Sequence, residues 1–271
     1  MNQQEQMEFF YEIFDASLPR LGPGDDASTR KALKELYSTK PQRKDDRGSS
    51  KLRVLDIGCG NGPQTLQLAR HIDGTILAVD NYQPFLDELN RRAEAAGLSN
   101  KIQVCLKDMR DLTPDEGLFD LIWSEGALNL MGFSEGVLSP TGFHDGLVVC
   151  HSLLTPSGFL AVSELCWLRP DPPSECQQFF STAYPAMAAV DAYLSLIKSC
   201  GFEVIGHFTL PESAWWEQYL HPLEDRLQSF RERYAADREK LDFIESVQME
   251  IDIYRKHSSY YGYVFYLMRS C

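Results

Sequence analysis

Between Val54 and Gly62 a branched apolar run enters the turn Asp56-Ile57-Gly58-Cys59-Gly60-Asn61-Gly62, and an amphipathic stretch follows through Leu68. No other segment limits the fold so strongly. Strand, tight turn and helix in direct succession form the first half of a βα unit, and Gly58 and Gly60 lack the β-carbons that would block a sharp bend. The helix that opens there presents unpaired N–H groups, so a ligand can touch the backbone itself. Beyond it, short apolar runs alternate with longer amphipathic stretches. Strands are predicted over 53–57, 75–79, 102–106, 118–123 and 158–165, which makes five βα units before residue 175. This rhythm predicts an α/β fold with a parallel sheet covered by helices on both faces. A helix ending at Cys200-Gly201, a strand over 202–210, a charged helical stretch and a last strand near 263–268 complete the pass.

Residues 1–50 read as a helical lid and linker, and 51–271 as the main domain, with a helical insertion over about 211–258. Met7, Phe10, Tyr11, Phe14 and Leu18 form one stripe of a helix over 6–18. A turn-rich loop from Pro19 to Asp26 precedes a second short helix, with Ser28 as its expected cap, running through Leu36. From Lys40 to Lys51 the chain is polar and reads as an exposed connector.

Composition removes several partners. The formal net charge of −13 would repel a nucleic-acid backbone, and no basic groove is evident. No apolar run reaches the roughly 18 residues of a membrane span. Glu5, Glu8, Glu12 and Asp15 near the start do not resemble a secretory leader, so the expected location is cytoplasmic. Seven cysteines stand singly and read as free thiols, and no His, Asp or Glu spacing suggests a metal triad. A small-molecule substrate remains, with homodimer formation left open.

Two ligand classes compete for the turn. A dinucleotide wants G-x-G-x-x-G for its pyrophosphate, but here the third glycine comes one position early and Pro63 stands where the last would be. Asp56 adds a negative charge that opposes a pyrophosphate and suits S-adenosyl-L-methionine, a sulfonium with an ammonium group. Asp80, at the end of the second strand, can accept both ribose hydroxyls of an adenosine. Asn81 follows it. Asp108 can accept the adenine amino group, and Met109 can pack on the ring. Ser124 and Glu125 end the fourth strand at the sheet edge where α/β ligands bind.

These residues resemble the class I S-adenosylmethionine-dependent methyltransferases: Asp56 through Gly62 matches their glycine motif, Asp80 their ribose acid and Asp108 their adenine-side acid. Trp123-Ser124-Glu125-Gly126-Ala127, Ala183-Tyr184-Pro185 and the run Tyr260 to Tyr266 are similar to bacterial small-molecule methyltransferases related to the ubiquinone and menaquinone type. The resemblance implies a Rossmann-like, seven-stranded mixed sheet with its last strand antiparallel, and amino-terminal helices closing over the cofactor. It implies no particular acceptor. A nicotinamide-dependent oxidoreductase and a non-catalytic cofactor-binding module are the competing readings.

Methyl transfer needs alignment and exclusion of water more than covalent catalysis. Glu125 is the expected catalytic residue, with His144, His151 and Glu164 as other candidate bases. Arg30 is expected to hold the donor carboxylate, alongside Asp56, Gly58, Cys59, Gly60, Asp80, Asn81, Asp108, Met109 and Ser124 at the cofactor. Tyr11, Tyr184, Trp215, Tyr219 and Tyr260 are expected against the substrate.

Overall fold

In the first strand, β1 (Leu52–Ile57), Val54, Leu55, Asp56 and Ile57 are all buried, as a strand covered on both faces requires. The computed structural model describes residues 1–38, 51–134 and 137–271. The polar connector expected over 40–51 lies, apart from Lys51, outside the described residues. Six further strands join β1: β2 (Gly74–Asp80), β3 (Ile102–Leu106), β4 (Phe119–Glu125), β5 (Leu154–Trp167), β6 (Phe202–Thr209) and β7 (Tyr261–Ser270). Their order is β3-β2-β1-β4-β5-β7-β6, with a two-residue strand, Ala188–Ala189, added beside the end of β5.

Strands β1 to β5 pair in parallel, with Val54 beside Ile76, Asp56 beside Trp123 and Trp123 beside Ala161. β7 runs antiparallel to both neighbours, placing Phe265 between Ser163 and Phe208. This is the mixed sheet with an antiparallel last strand that the family resemblance implied. A nicotinamide-binding sheet of the doubly wound kind is parallel in the order 3-2-1-4-5-6, so the inserted antiparallel strand separates the two readings. β5 begins four residues before its predicted start. Its pattern is broken there by Pro156, Ser157 and Gly158, and Ser157 takes a left-handed φ of 62°.

Helices α1 (Gln3–Ile13), α2 (Asp26–Ser38), α3 (Pro63–His71), α4 (Gln83–Ala95), α5 (Gly142–Leu153), α6 (Ser174–Ala183), α7 (Val190–Ser199), α8 (His221–Arg233) and α9 (Arg238–His257) surround the sheet. α2, α3 and α4 cover one face through Leu33, Leu36, Leu68, Leu86 and Leu89, which pack with Trp123 and Phe265. α5 and α7 cover the other through Leu147, Cys150 and Ile197, against Ile122 and Tyr266. Successive strand residues thus anchor opposite layers.

A third apolar cluster stands apart. Phe9, Ile13 and Leu18 pack with Phe180, Trp215, Leu223, Ile244, Ile251 and Tyr261, which joins α1, α6, α8 and α9 over the carboxyl ends of β5 and the start of β7. α1 begins earlier than the apolar stripe suggests because Asn2 and Glu5 form a capping box. At α2 the expected cap is corrected: Ser28 N–H donates to Asp25 Oδ1 at 2.6 Å, so Asp25 does the capping and Ser28 is buried inside the helix.

Candidate active site at the glycine turn

The carboxyl ends of β1, β2 and β4 meet around the turn, bringing acids from three strands together. Gly58, Gly60 and Gly62 have φ of 66°, 54° and 84°, a region that side chains disfavour. A β-carbon on Gly58 would lie 2.4 Å from that of Ala127, and one on Gly60 would lie 3.1 Å from Leu21 Cδ1. Gly58 and Cys59 N–H groups donate to Val79 O at 2.9 and 3.0 Å. Asp80 accepts from Gly60 N–H at 2.9 Å and Tyr82 N–H at 3.0 Å, clasping the turn to the tip of β2. Its carboxylate keeps lone pairs for a ligand, and burial raises its pKa.

Asp56 is fully buried. Thr65 Oγ1 donates to its Oδ2 at 2.5 Å, while Oδ1 has no hydrogen-bond partner among the described residues. Burial, reinforced by the charges of Glu125 and Asp80, raises its pKa to about 7. The unfolded carboxyl ionises near pH 4, whereas the folded one holds its proton to about pH 7. Stability that is fully present below pH 4 is therefore lost as pH rises towards 7. Asp56→Asn removes that loss: relative to wild type, the variant should gain on the order of 3 kcal/mol between pH 4 and pH 8. Urea unfolding at the two pH values measures it, and parallel pH profiles for the two proteins would refute the assignment.

Glu125 ends β4 in a closed set of partners. Its Oε1 accepts from Thr29 Oγ1 and Trp123 Nε1, each at 2.9 Å, and its Oε2 accepts from Arg20 at 3.2 Å. Both members of the Arg20–Glu125 pair are buried, and Arg20 also donates to Asp26 Oδ1 and Gln218 Oε1 at 3.3 Å. This carboxylate is not free to take a proton from an acceptor, which corrects the expectation of a general base: it fastens the amino-terminal segment to the sheet. That segment is gripped again from below. Asn61 Nδ2 donates to the carbonyls of Ala16 and Leu18, and the Arg92 guanidinium to those of Ala16, Leu18 and Pro19.

Other expected site residues fall in different places. Arg30 is exposed on α2, and the guanidinium that the amino-terminal segment turns inward is that of Arg20. Ser124 is buried with its hydroxyl donating to Ile57 O at 3.0 Å, so it ties β4 to β1. Asp108 stands beyond β3 with Oδ1 accepting from Arg110 N–H and Nε at 2.9 Å, and that pairing holds its pKa low. Met109 Cε reaches within 3.7 Å of a β-carbon placed on Gly58, and Asn81 is exposed at the rim. The buried Cys59 thiol has its pKa pushed well up by burial and by Asp56 and Asp80.

Tyr11 stacks on Tyr82 at 3.7 Å, close to Asp80 at the tip of β2. Tyr184, Trp215 and Tyr219 are buried in the lid cluster, and Tyr260 lies outside it beneath the Arg169 guanidinium. His144 is exposed beside Asp145, and His151 contacts Ser270 at the amino end of β6, the opposite edge of the sheet. Neither histidine belongs to the site. Arg20, Thr29 and Glu250 were absent from the sequence expectations. Glu250 had a signal: Phe243, Val247, Glu250 and Tyr254 share one helical stripe, so an acid occupies an apolar position of α9.

Residues 54–158 match the family model described as a methyltransferase domain. The chain is 25% identical to 27-O-demethylrifamycin SV methyltransferase of Amycolatopsis mediterranei (strain S699) over 210 residues, 75% of this chain and 70% of that protein. Its fold is similar to that of a SAM-dependent methyltransferase from Geobacter sulfurreducens solved with S-adenosyl-L-homocysteine, at 17% identity and a TM-score of 0.75, over 97% of this chain and 98% of that one. YjhP from E. coli gives a TM-score of 0.77 at 16% identity, over 97% of this chain and all of the other (100%). The glycine turn and the acids at successive strand tips lie within the family match or at its edge: residues 54–158 form a methyltransferase domain, and the mixed sheet with its inserted antiparallel strand is a fold shared with SAM-dependent methyltransferases.

Proposed function

We propose that this enzyme transfers the methyl group of S-adenosyl-L-methionine to a small molecule received under the lid, beside Gly126. One observation carries the donor half of the reading. Asp80 clasps a turn whose Gly58 and Gly60 carry no β-carbons, while Arg20 balances the charge of Glu125 and burial keeps a proton on Asp56 up to about pH 7. The charge of Asp80 attracts a sulfonium and an ammonium and opposes a pyrophosphate. Asp80 is the acceptor for the ribose, the Gly58–Gly60 backbone lies along the donor, and Asp108 with Met109 bounds the adenine end. Leu21 and the clamped segment 16–20 close the turn from above, which excludes water from the displacement. Glu125 serves as a positioning residue, holding Arg20 and Thr29 of the lid in register with β4.

The demethylrifamycin relative supports a small-molecule acceptor. Calorimetry tests the donor: the full chain should bind S-adenosyl-L-methionine, and Asp80→Ala should weaken binding by more than about tenfold, since it removes charge-assisted hydrogen bonds to the ribose. Binding of NAD in place of S-adenosyl-L-methionine would sink the proposal.

A further inference from the structure

A cleft of about 450 Å³ opens between the carboxyl end of β5 and helix α6, within the size range of small-molecule sites. Trp167, Phe180, Tyr184 and Met187 form its walls, and Pro170, Pro172 and Pro185 stiffen its rim. Trp167 meets Phe180 edge-on, with ring centroids 5.4 Å apart. The Tyr184 hydroxyl stands 3.3 Å from that of Tyr193, which does not line the cleft, so Tyr184 presents its ring there. Two of the polar side chains have already spent a donor: Gln177 Nε2 donates to Pro172 O at 2.6 Å, and Ser181 Oγ donates to Gln178 O at 2.7 Å.

Arg169 differs from them. Among the described residues its guanidinium makes no hydrogen bond, and its ion pair with the exposed Asp171 is loose, at 3.5 Å from Nε. The ring of Tyr260 lies 4.6 Å away, a stacking that steadies the guanidinium without using its N–H groups. No carboxylate lines the cleft, although the chain carries a formal net charge of −13. Helix α6 begins at the rim without a side-chain cap, which adds the positive end of its dipole, and the acid of its first turn, Glu175, is paired with Lys256 and His257. The glycine turn lies elsewhere. Between Gly126 and the cleft stand Tyr263, Trp215 and Tyr261, in ring contact with one another, and Tyr261 meets Phe180 at 4.6 Å.

The geometry points to this cleft as a second binding site, for a small molecule with a flat apolar body and a carboxylate. The body lies among Trp167, Phe180 and Met187, and the carboxylate takes two parallel N–H groups of Arg169 in place of Asp171. An ammonium there would meet only a like charge. The proline-stiffened rim lowers the cost of ordering the site on binding. None of this depends on the methyl-transfer reading.

Calorimetry on the full chain tests it with 2-naphthoate and 2-naphthamide, which share a ring system and differ in charge. The acid should bind at least about five times more tightly than the amide, the worth of one bidentate ion pair at a half-exposed arginine. Arg169→Gln should shrink that preference to within about twofold and leave the amide's affinity unchanged. Ser181→Trp, from an exposed position bordering the cleft, should weaken both ligands at least about fivefold by filling it. Saturating S-adenosyl-L-homocysteine should leave the acid's affinity unchanged. Equal affinities, tighter binding of the amide, or no binding of the acid would overturn the inference, and this wild-type comparison stands whether or not a variant folds. A preference that survives in folded Arg169→Gln, or displacement of the acid by S-adenosyl-L-homocysteine, would place the acid elsewhere and overturn it equally. Failure of S-adenosyl-L-homocysteine itself to bind would count against the donor reading alone.

Discussion

Arg20→Ala is expected to destabilise the protein by about 3–5 kcal/mol, because it leaves the buried Glu125 carboxylate without its cation. The loss should exceed that of any surface ion pair in the chain, where the usual contribution is below about 1 kcal/mol. Donor affinity should fall as well, since Arg20 fastens the segment that closes over Gly60. Removing both charges with Arg20→Ala and Glu125→Gln together should recover part of the stability, as the remaining amide can still accept from Thr29 and Trp123. Urea unfolding of the four proteins measures the coupling. An Arg20→Ala protein within about 0.5 kcal/mol of wild type would show that the pair holds nothing together.

Gly58→Ala should cost about 2–5 kcal/mol, combining left-handed backbone strain with a clash against a neighbour that cannot rotate away. The obstructing atom is the β-carbon of Ala127, fixed by its own backbone. Ala127→Gly in the same chain should therefore restore the steric part and leave the strain. The prediction is a favourable coupling in a double-mutant cycle read by thermal or urea unfolding. Strict additivity of the two substitutions would mean that Gly58 and Ala127 do not touch.

The two predictions concern residues of very different legibility. Gly58, Asp56 and Asp80 could be read because a strand that stops at a turn has a fixed direction, so its last residues must face the ligand edge. Strand positions were read for the same reason, and the errors fall at ends, such as β5 beyond the Pro156-Ser157-Gly158 irregularity. Arg20 was not legible. It sits in a Pro-Gly loop whose path is set by distant partners, Asn61 and Arg92, and nothing local tells which of Arg20 and Arg30 turns inward. Ser124 and Glu125 were placed correctly at the tip of β4, but the sequence does not show that Ile57 O and Arg20 already take their side chains. Glu250 was hidden by its surroundings: in a stretch full of mixed charges, one more acid looks solvated unless its place in the Phe243-Val247-Tyr254 stripe is noticed.

The antiparallel insertion of β7 has a consequence for how the molecule is made. Among the described residues β6 has no sheet neighbour except β7, and β7 in turn borders β5, which lies about a hundred residues upstream (Val162 beside Tyr266). During synthesis the half of the sheet from β3 to β5 can assemble early, while β6 must wait with one edge unsatisfied until the ribosome delivers the strand that belongs between them. Because β7 completes the sheet beside β5, a nascent chain could form the glycine turn and its strand-tip acids well before the sheet is whole.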